Sequence, residues 1–255
     1  MSWAAGRRTI IVGIIGASIL AFLIVLSATI FSKAPSCSDE IQNQGEAGID
    51  CGGPCQYLCT ATEQPATVLF TKAIVTSEGR VDIVASIENK NAVSAAKQVP
   101  YAVTLYGTDT AVIQKVTGTV DLPPATTVYV YVPRVATASK NSVVRAFLTI
   151  DPSAPHWFSM GQDSRVKPFV SNTTFRGTLA APRIDATLTN PSATTLSDVS
   201  ALVLVYDANH EVMAASQTIV PQVPPQGDAT ATFTWNEAFA HTPATIEVVP
   251  IIPLP

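Results

Sequence analysis

Residues 81–89 read VDIVASIEN, and residues 184–190 read IDATLTN. In the first stretch Val81, Ile83, Ala85 and Ile87 are apolar; in the second, Ile184, Ala186 and Leu188 alternate with polar neighbours. Alternation at period two gives a strand one buried face. Both stretches end in Asn followed by turn-prone residues, NKNA and NPSA. The correspondence continues outward. AVTLYGTD (102–109) matches LVLVYDAN (202–209), setting Tyr106 against Tyr206. The strands AVIQKVTGTV and EVMAASQTIV follow, then LPP (122–124) and VPP (223–225), then TTVYVYV and ATATFTW, and last SVVRAFLTI and ATIEVVPII. An offset of 100 to 101 residues runs through these landmarks, the mark of a tandem duplication.

Each copy, residues 66–152 and 167–255, carries short strands separated by turn signals, the pattern of an immunoglobulin-like sandwich. Val128, Val130 and Val132 in the first copy, and Ala229, Ala231, Phe233 and Trp235 in the second, are expected to face inward. With LVLVYDANHEVMAASQTIVPQVPPQG, the second copy resembles the FxLYD-type family of small β-sandwich domains. The first departs from it, with Gly107 after Tyr106 and Thr126 where Gly227 stands. The resemblance implies interaction or spacer modules on a membrane anchor and brings no catalytic residues. Tyr106, Tyr206 and Asp207 are accordingly read as packing and turn residues.

Composition agrees. The chain is 47% apolar and 13% charged, too poor in Glu, Lys and Arg for long helices laced with ion pairs. A net charge of −4 and a pI near 5.3 exclude a basic face for nucleic acid.

Ahead of the repeats, Thr9 to Phe31 contains no charged residue. A helix of that length runs about 34 Å, against a hydrocarbon core of about 30 Å. The run exceeds the apolar region of a cleaved secretory signal, about 7–15 residues. APSC lacks the Leu of a lipidated Cys, and no Glu interrupts the run as in a pilin. Residues 9–31 are therefore expected to be a single-pass anchor in the lipid bilayer. Arg7 and Arg8 precede it, while Lys33 and then acidic residues follow. By the positive-inside rule residues 1–8 form a cytoplasmic tail and 32–255 lie outside the cell membrane. Gly13, Ala17 and Ala21 share one helical face, which suits self-association but is also ordinary membrane-helix composition.

CSDEIQNQGEAGIDCGGPCQYLC, residues 37–59, holds all four cysteines: Cys37, Cys51, Cys55 and Cys59. An even set just outside a membrane reads as two disulfides stapling a stalk, residues 32–65. Three pairings are open; Cys37–Cys55 with Cys51–Cys59 is taken as the expectation. Staples stand in for a core, since the larger apolar residues between them are only Ile41, Ile49, Tyr57 and Leu58. Zinc on four thiolates is the rival, without the C-x-x-C knuckle that would support it. Asp39, Asn43, Glu46 and Asp50 are candidate calcium ligands, a solvated acidic loop being the plainer reading. No cofactor is expected. The segment resembles a short cysteine module of bacterial secreted and surface proteins in its DCGGPC core, departing with Glu40 where Gly is usual. That resemblance implies an envelope setting and no activity.

His156, His210 and His241 are scattered, and no G-x-S-x-G, P-loop or H-E-x-x-H motif occurs, so no enzyme is expected. The expected linker, 153–166, gathers Trp157, Phe158 and Met160, either to pack between the domains or to form an exposed binding patch. The terminal VVPIIPLP finishes the last strand or joins a partner's sheet edge. The expectation is thus a mainly β protein with one N-terminal transmembrane helix, a Cys-rich linker and two tandem Ig-like (FxLYD-like) sandwiches. It would be non-catalytic, serving adhesion, ligand binding or scaffolding at the cell envelope. Alternatives are an accessory subunit of a membrane complex for secretion, pilus assembly or division, and an envelope hydrolase.

Overall fold

The structure, a computed structural model, describes residues 3–31, 36–77, 79–137, 143–161 and 163–255. Lys33, one of the charges flanking the apolar run, lies outside the described residues. The chain forms two compact units, Met1–Cys59 and Thr60–Pro255.

The first unit opens with helix α1, Trp3–Phe31. It begins earlier than expected, taking Arg7 and Arg8 of the supposed tail into its first turns. Its apolar stretch Gly6–Ser27 has mean hydropathy 2.8 and no protein cover, and Ile10 and Phe22 are 63% and 65% exposed. A helix apolar on every side, long enough for a bilayer, is by length and composition able to cross one. Gly13, Ala17 and Ala21 are exposed along it.

The cysteine segment pairs Cys37 with Cys55 and Cys51 with Cys59. With no free thiol remaining, the zinc reading falls. Gly53 has φ 57°, and a Cβ there would sit 2.2 Å from the Gly45 carbonyl oxygen, so the DCGGPC turn admits only glycine at this position.

The second unit is entirely β apart from a short 3-10 turn at Thr60–Thr62. The first copy contains β1 (Thr67–Ser77), β2 (Arg80–Asn89), β3 (Ser94–Tyr106), β4 (Val112–Leu122), β5 (Thr126–Ala136), β6 (Arg145–Ile150) and β7 (Trp157–Ser159). The second contains β8 (Phe169–Thr178), β9 (Ala181–Thr189), β10 (Leu196–Tyr206), β11 (Val212–Val223), β12 (Asp228–Thr234) and β13 (Thr245–Ile251). Sheet orders are β1-β2-β5 and β4-β3-β6 in the first copy, β8-β9-β12 and β11-β10-β13 in the second, with every pairing antiparallel. The two copies therefore share one strand plan. Their turns match bond for bond: Gly107 N–H donates to Ala111 O as Asp207 does to Glu211, and Val144 N–H to Tyr106 O as Ala244 does to Tyr206.

A buried asparagine locks the same corner of each sandwich. Asn89 Nδ2 donates to the carbonyls of Ser94, Leu122 and Pro123, and its Oδ1 accepts the Asn91 N–H. Asn190 Nδ2 donates to Thr194, Val223 and Pro224, and its Oδ1 accepts the Ser192 N–H. Both residues are essentially sealed, at 1% and 0% exposure.

The copies pack directly against each other through their sheets. Val199, Ala201, Val203 and Val205 of β10 join Ile184, Leu188 and Phe233 in the second core. Leu202 and Leu204 point the other way, into a cluster with Ala215 and with Val84 of β2. On β2 the even residues Asp82, Val84 and Ser86 are as buried as the odd ones. Sheet β1-β2-β5 thus lies against sheet β11-β10-β13, and four sheets stack in series. Fully burying one such leucine contributes about 1.5–3 kcal/mol.

The segment between the copies belongs largely to them. β7 pairs along β3 through Trp157 and Ala96, and Trp157 is 1% exposed. It is a packed side chain, not an exposed anchor. Phe158 and Met160 are half-buried. Farther on, Asp163 pairs with Arg165 and Lys167, and Arg165 donates to the Ile252 carbonyl. The carboxyl end stays on its own chain: β13 pairs with β10, and the N–H of buried Leu254 donates to Asp121 of β4.

Candidate ligand cleft

Beyond Val84, toward Arg80, the junction of the two sandwiches opens into a cleft of about 700 Å³. Its first wall is built by a β-bulge. Val81 pairs with Val135 and Ile83 with Val132, so Pro133 and Arg134 together oppose Asp82. Arg134 adopts φ 54°, a strained setting for a side-chain-bearing residue. Asp82 holds it there: one carboxylate oxygen accepts the Arg134 N–H at 2.7 Å and the other the Tyr131 hydroxyl at 2.9 Å. The carboxylate is buried but doubly bonded. Arg80 and Arg134 themselves are exposed on this wall. Neither makes an ion pair among the described residues.

The second wall is β11 with the turn after β12. Trp235 Nε1–H donates to the Ala215 carbonyl at 3.0 Å, and the Tyr131 hydroxyl lies 3.3 Å from the same oxygen. Ile219 stands 62% exposed beside them, and Glu237 sits on the rim. The lining thus holds two exposed cations, Arg80 and Arg134, and two carboxylates, the buried Asp82 on the first wall and Glu237 on the rim.

Phenols seal the closed part of the junction. Tyr129 and Tyr206, one from each sandwich, donate to opposite oxygens of Glu247 at 3.1 and 2.9 Å. Burial first, then the Glu247 charge and its hydrogen bond, push Tyr129 up to about 12. Burial and Glu247 likewise raise Tyr206, and burial with Asp82 raises Tyr131. A phenol held neutral in the fold contributes stability that is complete below its ordinary value near 10 and lost as pH climbs through the raised one. The expected result is a fall in unfolding midpoint between pH 10 and 12 that flattens in Tyr129→Phe/Tyr206→Phe, followed by circular dichroism and phenolate absorbance.

The proposed calcium ligands come together in the cysteine segment, where the three carboxylates accept hydrogen bonds while the buried Asn43 Oδ1 has no partner among the described residues. Asp50 accepts the N–H groups of Asp39 and Glu40, and Asp39 accepts that of Ile41 and the Asn43 amide. Glu46, buried, accepts the N–H groups of Asn43 and Asp50. Asp39, Glu46 and Asp50 spend carboxylate oxygens on backbone donors, and the Asn43 amide donates to Asp39. Cys37, Glu46 and Cys55 lie within 4.8 Å of one another, yet the two sulfurs are bonded to each other and are not thiolate ligands. His210 occupies the β10–β11 turn, and the His241 charge helps lower the nearby Asp207 carboxyl, after backbone bonds from Glu211 and Asn209.

No family model matches the chain, and no curated protein matches it. Among solved structures, that of red sea bream transglutaminase aligns over 73% of this chain at 12% identity with a TM-score of 0.25. The aligned part amounts to 29% of that protein.

Arg80 and Arg134 went unmarked in the sequence, and Trp235 was read only as a core residue, because the site exists only where the copies meet. Trp235, expected inward, is indeed packed against the second core, and its N–H also reaches the cleft wall.

Proposed function

We propose that this is a single-pass envelope protein of the interaction class, with residues beyond α1 outside the membrane and a ligand taken in the cleft between the sandwiches. The cleft carries the reading: an open concavity lined by Asp82, Tyr131 and Glu237 and by two arginines that have no ion-pair partner among the described residues. Two disulfides suit an oxidising compartment, and Arg7 and Arg8 at the start of the apolar helix suit a cytoplasmic amino terminus. The FxLYD-type and DCGGPC resemblances agree with a non-catalytic surface role in adhesion, ligand binding or scaffolding.

Photo-crosslinking in intact cells tests this. A crosslinker at exposed Ile219 is expected to capture a partner, whereas one at Val112, equally exposed but outside the cleft, captures none. Capture at neither position, or the same products at both, counts against the cleft as the working surface.

A further inference from the structure

Deepening that reading, we infer that the cleft accepts an extended acidic peptide, which adds as a strand to the free edge of β11. The hydrogen-bond parity of the sheet exposes that edge. The Tyr206 carbonyl accepts the Ala244 N–H, which turns the even residues of β10 toward β13 and its odd residues toward β11. On β11, Ala214, Ser216 and Thr218 meet those odd residues. Ala215, Gln217 and Ile219 consequently direct their N–H and C=O groups off the sheet. The Ala215 carbonyl confirms the direction, since Trp235 reaches it from outside the ladder.

Ala215 is capped, but among the described residues nothing bonds the backbone of Gln217 or Ile219 on that side. Pro221, at the next edge-facing position, has no N–H to offer and ends the run. A short row of two donors and two acceptors is left open inside a cleft, where an incoming strand finds walls as well as an edge. The walls select its side chains. Arg80 and Arg134 present guanidinium groups without an anionic partner among the described residues, in a protein of net charge −4. Carboxylates at alternate positions of the strand meet them, in the two-pronged geometry guanidinium favours. Ile219 shares its face with those carboxylates, and the intervening apolar side chains point to the opposite face of the sheet. Glu237 on the opposite rim repels a second acidic row, which favours alternation over a uniformly acidic peptide.

The test uses the full chain in detergent micelles and a fluorescent peptide, acetyl-Val-Glu-Val-Glu-Val-Glu-amide, read by anisotropy. Saturable binding is expected. A Val-Lys alternation and a peptide N-methylated at alternate residues should each bind at least tenfold more weakly. The double variant Arg80→Glu/Arg134→Glu should lose at least tenfold while its circular dichroism and unfolding midpoint hold. Because both arginines are exposed, folding is not at stake. Equal binding of the N-methylated peptide, or undiminished binding by the double variant, overturns the inference. So does absence of binding at millimolar peptide, or self-association of the chain that the acidic peptide fails to displace. The Ile219 crosslink separates this from the broader reading. If capture in cells persists when the peptide does not bind, strand addition falls and the interaction role stands; if neither occurs, both fall.

Discussion

Asn190→Ala is expected to lower the unfolding midpoint of the second unit by roughly 10 °C, and Asn89→Ala by a similar amount. Each side chain donates to one nearby backbone carbonyl and two distant ones, Thr194 and then Val223 and Pro224 in the second copy. Leaving a buried polar group unsatisfied costs about 1–3 kcal/mol. Three carbonyls and the Ser192 N–H lose their partner together, a gross cost of about 4–12 kcal/mol, and water entering the space left by Ala recovers most of it, so a net loss of about 3–4 kcal/mol follows. In a unit of this size 1 kcal/mol moves the midpoint by about 2–4 °C. Asn190→Asp sharpens the test. It preserves shape and the acceptor for Ser192 but turns an anionic oxygen toward three carbonyl oxygens. Burial and those oxygens raise its pKa above that of an unfolded Asp. The fold then regains stability as pH falls through the raised value, the reverse of an ordinary paired carboxylate. Thermal scans of wild type, Asn190→Ala and Asn190→Asp from pH 4 to 8 check it. An Asp variant as stable as wild type at pH 7 would show that the amide donor is dispensable.

Those asparagines also mark how far the sequence could be read. NKNA and NPSA disclosed that both copies turn after an asparagine, and the 101-residue spacing disclosed that the turns are equivalent. What the amide does is invisible there, because two of its three acceptors lie 33 and 34 residues on. That two disulfides form was legible for the opposite reason, since all four cysteines lie within one segment that has no other means of holding shape, whereas the pairing, at separations of 18 and 8, was one of three the sequence left open. The stack was hidden. Alternation in VDIVASIEN assigns its even residues to water, and Asp82 and Ser86 encourage that assignment. Val84 breaks the alternation, and the unbroken apolar run ALVLV (201–205) breaks it more plainly. A strand apolar on both faces has two faces to cover. Polar residues at a buried junction obscure this rule, since Asp82 is sheltered by Tyr131 and a backbone N–H instead of by solvent. The cleft inherits the same obscurity, being assembled from residues of two copies that no local pattern relates.

Leu202→Glu/Leu204→Glu is the variant that decides whether the copies act as one body. Were they independent, both positions would lie on a solvated face, and such changes would move stability by no more than about 0.5 kcal/mol. In the stack they sit at 0% exposure against Val84 and Ala215. Truncating a buried leucine to Ala costs about 2–5 kcal/mol, and an ionised carboxylate without a partner costs more. The second core keeps Val199, Ala201, Val203 and Val205, which point away from the change. Parting of the sheets, and not collapse of the sandwich, is therefore the cheaper response. Calorimetry should show one transition for the sandwich pair in the wild type and two, at lower temperature, in the variant. Small-angle scattering should record a larger radius of gyration, and the Tyr129–Glu247–Tyr206 bridge should dissolve, returning those phenols toward ordinary titration. The acidic peptide should lose its site in the same variant, because Arg134 on one sandwich and Gln217 on the other no longer face a common cleft. A single unshifted transition with an unchanged radius would remove the stack, and the cleft with it.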